Sequence, residues 1–294
     1  MTEINASDFG LQEEEVEYVK AWQKSDWIGK EDLVMECVFR TPVAPHNAFL
    51  HRTATTEHPF LYEINKYVIT GQHVNIPIHS INNSNFSMEI LSLTPATDRV
   101  QFNISAHSIA NSYLANNYYD IARDIDDEIS NMERRLEQAL FQGSESGING
   151  LQQWLPDVVS GELFCGIDRS IDSVRLAGHR LYAESLERGI VDASIRIARE
   201  GGRPDVCYVP AEMHNRLTNV MGPMGSIRVV NSVWANAIYL LSMPTWRLYH
   251  LGDLINIDMQ RSPISDDYEA RISTYCQLGC SNPIYNARIT IEEA

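Results

Sequence analysis

The sequence predicts an α+β chain, and three observations carry that reading. From Asn117 to Gln142 the apolar residues Ile121, Ile125, Ile129, Met132, Leu136 and Leu140 recur every three to four positions, the spacing of one buried helix face. On either side, runs such as Arg99–Ile104 and Arg271–Leu278 alternate with period two, as half-buried strands do. Between the long helix and the last strands, residues 160–250 mix helix and strand patterns over a length that suits an inserted domain.

Residues 1–60 read as an arm. Glu13, Glu14, Glu15 and Glu17 open a short helix that carries Val16, Val19 and Trp22, and a mixed stretch follows to Thr41-Pro-Val-Ala-Pro45. Its apolar residues are too sparse for a core of their own, so the segment is expected to pack on the body of its chain or on a neighbour. Residues 61–105 change to period two: Tyr67–His79 has strand composition, with Gly71 and Pro77 excluding a central sheet position, and Asn82-Asn-Ser-Asn85 is a turn. With Arg99–Ile104 this predicts a long two-stranded arm, which needs a partner surface because an isolated hairpin is marginal in water.

A short helix or turn is expected over 106–116, then the long helix, which at about two dozen residues would run about 36 Å. After Gly147–Leu151, a second helix spans Glu184–Glu200 and stops at Gly201-Gly202. Strand Val206–Val209 leads to Pro210, which is expected to open a helix through Leu217. Strands follow at Ile227–Val230, Ala237–Leu241, Leu254–Ile257 and Arg271–Leu278, where Ile272, Thr274, Cys276 and Leu278 share a face. Gly279-Cys-Ser-Asn-Pro283 interrupts the pattern, and Tyr285–Ile291 is expected to pair back on Arg271–Leu278.

Composition narrows the function. The chain has 294 residues, 44% of them hydrophobic, enough for one large domain or two modest ones. Its net charge of -16 argues against a surface that grips nucleic acid, which needs clustered Lys and Arg. Five scattered cysteines do not make the framework of a small secreted domain. The acidic start lacks the basic and apolar regions of a signal peptide, and no apolar run reaches the length of a membrane span.

Motifs for chemistry are weak. His214 lies two residues after Glu212, the wrong spacing for two ligands on one helix face. Cys276 and Cys280 are read as structural, on opposite sides of a strand-to-turn transition, and no ligand set accompanies them. Gly143, Gly147 and Gly150 lack the Lys and Ser or Thr of a phosphate loop and follow a helix; main-chain geometry is their expected role. Asp168 and Arg169 have no nucleophile beside them and read as a pair that fixes a loop or crosses a subunit boundary. Trp234, Tyr239, Trp246 and Tyr249 read as core or interface aromatics. No catalytic residue, cofactor or metal is expected.

Taken in order, the 117–142 helix, Gly147-Ile-Asn-Gly-Leu151, Gly166-Ile-Asp-Arg169, the Val209-Pro210 helix start and Cys276-Gln-Leu-Gly-Cys-Ser-Asn-Pro283 resemble the major capsid proteins of tailed bacteriophages. These share the Hong Kong 97-type fold with encapsulin shells, and the resemblance covers about residues 60–292. It implies an N-terminal arm at 1–60, an extended β-hairpin loop with flanking segment at 61–105, and a peripheral domain with a spine helix at 106–159. An axial domain would follow at 160–250, and 251–294 would return to the peripheral domain. Ile76 and Ile78 would then meet a neighbouring chain, while Gly147, Gly150, Gly166, Asp168 and Arg169 would fix turns or interfaces.

The resemblance implies hexamers and pentamers of one chain closed into an icosahedral shell around double-stranded DNA. A portal protein, a separate scaffolding protein and a decoration protein would be its partners, and the virion its location after assembly in the host cytoplasm; no membrane is implied. An acidic inner wall would lie near packaged DNA without holding it. Some relatives join subunits by an isopeptide bond from a loop lysine, but this chain has none between Thr70 and Asn116, so non-covalent shells are expected. The segment ahead of the body lacks a long charged helical leader, which implies separate scaffolding or little proteolysis. An encapsulin-like compartment and, from another class, a cytosolic α/β enzyme are the alternatives.

Overall fold

The computed structural model describes residues 59–82, 85–105, 107, 119–159, 161, 163–213, 217–261 and 267–291. The expected arm helix near Val16 and the 108–116 segment lie outside these residues, as does His214. In chain order the elements are α1 (Pro59–Glu63), β1 (Asn65–Ile69), β2 (Val74–Asn82), β3 (Asn85–Leu93), β4 (Ala96–Ile104), α2 (Tyr119–Gln142) and α3 (Leu151–Trp154). Then come β5 (Leu163–Phe164), β6 (Ile167–Asp168), α4 (Ser173–Ala177), β7 (His179–Ala183), α5 (Leu186–Arg199), β8 (Val206–Pro210), β9 (Asn219–Gly222) and β10 (Gly225–Ser232). The chain closes with β11 (Ile238–Leu241), β12 (Trp246–Leu251), β13 (Asn256–Arg261), β14 (Tyr268–Cys280) and β15 (Ala287–Ile291).

The described residues divide into two compact units. The smaller holds residues 99–132 and 255–273. In the smaller unit Ile125, Ile129 and Met132 of α2 are buried with Ile104, Tyr268, Ala270 and Ile272. The helix periodicity and the strand alternation thus meet in one apolar core. The hairpin of β13 and β14 is antiparallel, with Ile257 opposite Ile272.

The larger unit is built on a six-stranded sheet in the order β7-β15-β11-β8-β10-β9. The sheet is mixed: β7 runs parallel to β15 and β10 to β8, while the other neighbours are antiparallel. Helix α5 covers one face. Ser185 caps it by accepting the Arg188 N–H, Glu187 and Arg199 sit at the ends where their charges favour the helix dipole, and Ile190, Ala193 and Ile197 pack on Leu181, Cys207, Val209 and Ile289. On β8 the alternate residues Val206 and Tyr208 are buried too, so this strand is covered on both sides. An aromatic cluster surrounds Tyr208, with Phe60 and Phe141 ring centroids 5.4 and 5.5 Å away. A second sheet runs β1-β12-β14-β13, with β4 joining β14.

The α+β class, the long helix and the 186–199 helix agree with expectation. Four details differ. The run Arg99–Ile104 joins β14 in the second sheet, and the hairpin is formed by β2 and β3 instead, with Val74 opposite Leu93 and Asn82 opposite Asn85. Pro77 is tolerated there because each strand of a two-stranded sheet has a free edge. After β8 only a three-residue 3-10 turn, Ala211–Met213, appears among the described residues, where an α-helix was expected. Strand β14 continues through Cys280, so Cys276 and Cys280 lie in one strand. Finally, β14 and β15 do not pair: β12 takes the place beside Cys276–Cys280, and β15 inserts between β7 and β11.

Candidate functional site

Of the residues that the sequence singled out, Gly147 and Gly150 lie beside the end of α2. The helix stops at Gly143, whose N–H bonds the Ala139 carbonyl. Gly150 then passes so close to this terminus that an added Cβ would lie 2.4 Å from Gly143 N and 2.5 Å from the Ala139 oxygen. No other residue fits without moving backbone. Gln153 of α3 closes the junction: its Oε1 accepts the Gly150 N–H at 2.8 Å and its Nε2 donates to the Gln142 carbonyl at 2.9 Å.

Gly147 lies in the loop just before, and its carbonyl accepts from Gln277 Nε2 at 3.0 Å. Gln277 is buried and uses its whole amide. It also donates to the Thr94 carbonyl at 3.1 Å, while its Oε1 accepts the Asn149 N–H at 2.7 Å. One side chain therefore ties β14 to the end of β3 and to the loop after α2.

Cys165 and Gly166 form the two-residue turn between β5 and β6, with φ of 50° and 89°. Positive φ at both positions is what a tight hairpin turn of matching twist demands. Asp168 and Arg169 do not form the pair the sequence suggested; each serves a different partner. Asp168 accepts from the backbone N–H and hydroxyl of Ser170, and these bonds hold its carboxyl below the usual range. Arg169 turns inward, donates to the carbonyls of Gln153 and Trp154 at 2.8 and 3.2 Å, and lies 4.0 Å over the Phe164 ring. Burial pushes its guanidinium down to about 10. Arg169 is thus a carbonyl clamp at the end of α3.

The hairpin β2–β3 has two unlike faces. Ile76 and Ile78, 4% and 3% exposed, point to their own chain together with Leu91 and Leu93. The reason is Gly279 of β14, where an added Cβ would fall 2.7 Å from Ile76 Cδ1 and 2.9 Å from Leu93 Cδ1. The single chain already covers this face, while on the opposite one Met88 and Ile90 are 57% and 53% exposed.

Three polar residues that sequence reading did not select are the most deeply engaged. Gln277 is one. Asn286 is another: its Oδ1 accepts from Ser242 N and Trp246 Nε1, both at 2.8 Å, and its Nδ2 donates to the Asn282 carbonyl at 2.9 Å. The third is Glu137 on α2, which accepts the backbone N–H groups of Phe60 and Leu61. Glu137 falls one helical turn from Glu133 and Phe141 of a buried stripe, which was the available signal: a carboxylate on an apolar face. Cys276 and Cys280 are buried thiols pushed up to about 12, four residues apart along a strand and too distant to bridge. Among the described residues no cluster of His, Cys, Asp and Glu could hold a metal ion, and no helix is long and apolar enough to cross a membrane.

No sequence model of a protein family matches the chain, and no curated protein matches it by sequence. Solved structures do match its fold. A chain of the cyanophage A-1(L) capsid asymmetric unit superposes with a TM-score of 0.64 at 14% identity, over 82% of this chain and 94% of that one. The SrpI encapsulin of Synechococcus elongatus PCC 7942 gives 0.55 at 10% identity, over 84% and 97%. A chain of the satellite phage P4 procapsid, which includes a size-determination protein, gives 0.52 at 14% identity, over 80% and 95%. The fold is the Hong Kong 97-type shell fold that phage capsids and encapsulins share.

Proposed function

We propose that this chain is the major capsid protein of a tailed bacteriophage, a structural protein and not an enzyme, whose copies close into an icosahedral shell around double-stranded DNA. The observation that carries the reading is that this chain superposes on 94% of a chain of the cyanophage A-1(L) capsid asymmetric unit with a TM-score of 0.64. On this reading α2 is the spine helix of a peripheral domain at 106–159. Residues 61–105 hold the extended loop, 1–60 the arm, 160–250 the axial domain gathered in hexamers and pentamers, and 251–294 the return to the peripheral domain. Gly147, Gly150, Gly166, Asp168 and Arg169 then act by fixing turns within the subunit, and Ile76 and Ile78 by seating the hairpin. A portal protein, a separate scaffolding protein and a decoration protein are its expected partners in the virion, formed in the host cytoplasm.

The sequence has no lysine after Lys66, and Lys66 Nζ is engaged by the Leu61 carbonyl at 2.8 Å. The shell is therefore held without isopeptide bonds from the hairpin. Denatured particles should give the mass of a single chain; covalent multimers would refute this.

The test is electron microscopy of the purified full-length chain, alone and co-expressed with its scaffolding protein. Closed shells of uniform diameter are expected. A monodisperse monomer or dimer under both conditions would sink the proposal. The encapsulin match of similar quality makes a protein-filled compartment the second reading. Nuclease-protected double-stranded DNA inside native particles separates the two, since a compartment would hold protein cargo instead.

A further inference from the structure

We propose that the Asn149–Gly150 bond is a latent self-modification site: it converts to aspartate or isoaspartate in a chain whose α2 junction is open, and the folded junction holds it shut. This inference rests on the single chain and does not require a shell.

The sequence holds one Asn-Gly pair, and it stands here. Its chemistry needs only water as co-reactant. Gly150 N bonds to Asn149 Cγ while its proton passes through water to Nδ2, which leaves as ammonia, and a succinimide ring results. Water then opens the ring at either carbonyl. The net change is one water taken up and one ammonia released, with nothing oxidised. The product is aspartate, or an isoaspartate whose main chain runs through the former side chain. Glycine in second place favours the attack, because it has no Cβ to keep its nitrogen away from the neighbouring side chain.

In the fold every group that must move is already engaged. The nucleophile, Gly150 N, donates its proton to Gln153 Oε1 at 2.8 Å. The leaving group, Asn149 Nδ2, donates to Cys165 Sγ at 3.5 Å, and Asn149 N donates to Gln277 Oε1 at 2.7 Å. The main chain on both sides is held as well. Ile148 N donates to Ser144 Oγ and the Ile148 carbonyl accepts from Ser144 N, both at 3.0 Å, while the Gly150 carbonyl accepts from Gln153 N and Trp154 N. A Cβ on Gly150 would lie 2.4 Å from Gly143 N, so this residue has no space in which to turn against the α2 terminus.

The product does not fit the place the bond came from. An isoaspartate lengthens the main chain by a carbon between two N–H groups that Gln277 and Gln153 hold at fixed points. Either product also brings a carboxylate to a half-buried position where the amide donated to a thiol. Conversion therefore acts in one direction: a chain whose junction stays open loses the residue that would have closed it.

Tandem mass spectrometry of the full-length chain, held in mildly alkaline buffer with and without denaturing urea, tests this. Conversion is read at Asn149 as the mass change from amide to acid, and isoaspartate by its enzymatic methylation. In urea Asn149 should convert faster than any other asparagine. In native buffer it should convert at least about a hundredfold more slowly, as a bond exposed only by opening of its region does. Gln153→Ala, which frees the Gly150 N–H, should raise the native rate at least about fivefold while the chain keeps its circular dichroism. After dilution from urea, chains that carry isoaspartate should stay protease-sensitive while unconverted chains refold. Equal rates in both buffers, an unfolded chain that spares Asn149, parental protection in folded Gln153→Ala, or converted chains that refold as well as the rest would each overturn the proposal. If Gln153→Ala fails to fold, the unaltered chain decides: in urea below the unfolding transition, conversion must rise in step with hydrogen exchange of the Gly150 N–H, and conversion that stays flat while exchange rises refutes the protected site.

Discussion

The junction after α2 and the β2–β3 hairpin both meet β14, yet they complete their contacts in different ways. At the junction, Gly150, Gln153, Gln277 and Arg169 satisfy one another within the chain, with backbone approaches that leave no room for a methyl group. The hairpin is finished on one face only. Ile76, Ile78, Leu91 and Leu93 are covered by their own chain, while Met88 and Ile90 stand in solvent on the other face. The difference separates what folding accomplishes from what a second chain would add. A shell subunit needs both: a junction rigid enough to transmit load, and an apolar surface left for a neighbour.

The largest expected effect comes from the covered face. Ile76→Asp places an unpaired carboxylate against Leu93 and Gly279, and the cost is about 3–5 kcal/mol, enough to unfold a marginally stable domain. Soluble chain recovered from cells should fall sharply, with urea midpoints to match. A well-folded Ile76→Asp chain would show that the hairpin base detaches without harm, and would erase the contrast between its faces.

At the junction, Gly150→Ala should cost about 3 kcal/mol, because its methyl group must displace the α2 terminus or the loop. A urea midpoint within error of the parent would mean that the close approach relaxes cheaply. Arg169→Lys should cost less, about 1–2 kcal/mol. An ammonium still reaches one carbonyl but loses the second bond and the planar stacking on Phe164. Equal stability of the two chains would show that the clamp is not specific to a guanidinium.

How legible all this was depends on what kind of signal each residue leaves. The α2 stripe and the 186–199 helix with Ser185 ahead and glycines behind are periodic and capped, so their positions could be read directly. Gly166 was singled out through the resemblance alone, and its φ of 89° in the turn is what suits glycine there. Pairing was not legible. The strands β4 and β14, and β15 with β7 and β11, meet across long separations that alternation alone does not rank. The same limit hid Gln277 and Asn286, whose roles consist of distant backbone groups, and it led Asp168 and Arg169 to be read as a pair because they are adjacent. Adjacent residues on a strand end point to opposite sides, which is why one meets Ser170 and the other the end of α3.

The smallest effect on folding is expected at the open face, and it is the most informative for function. Ile90 is opposite Pro77 in the hairpin and over half exposed, so Ile90→Asp should change the unfolding free energy by no more than about 0.5 kcal/mol. Its effect should fall on assembly, because a carboxylate in an apolar contact between chains is left without a partner. Particle yield by sedimentation should drop by at least tenfold while the soluble chain keeps its circular dichroism and urea midpoint. Ile76→Asp, on the covered face, cannot produce that pattern, since it loses fold and particles together. If Ile90→Asp assembles as well as the parent, the exposed face of the hairpin is not a contact. The surface that joins subunits would then have to be sought at the other exposed apolar side chains, beginning with Val158 and Leu163.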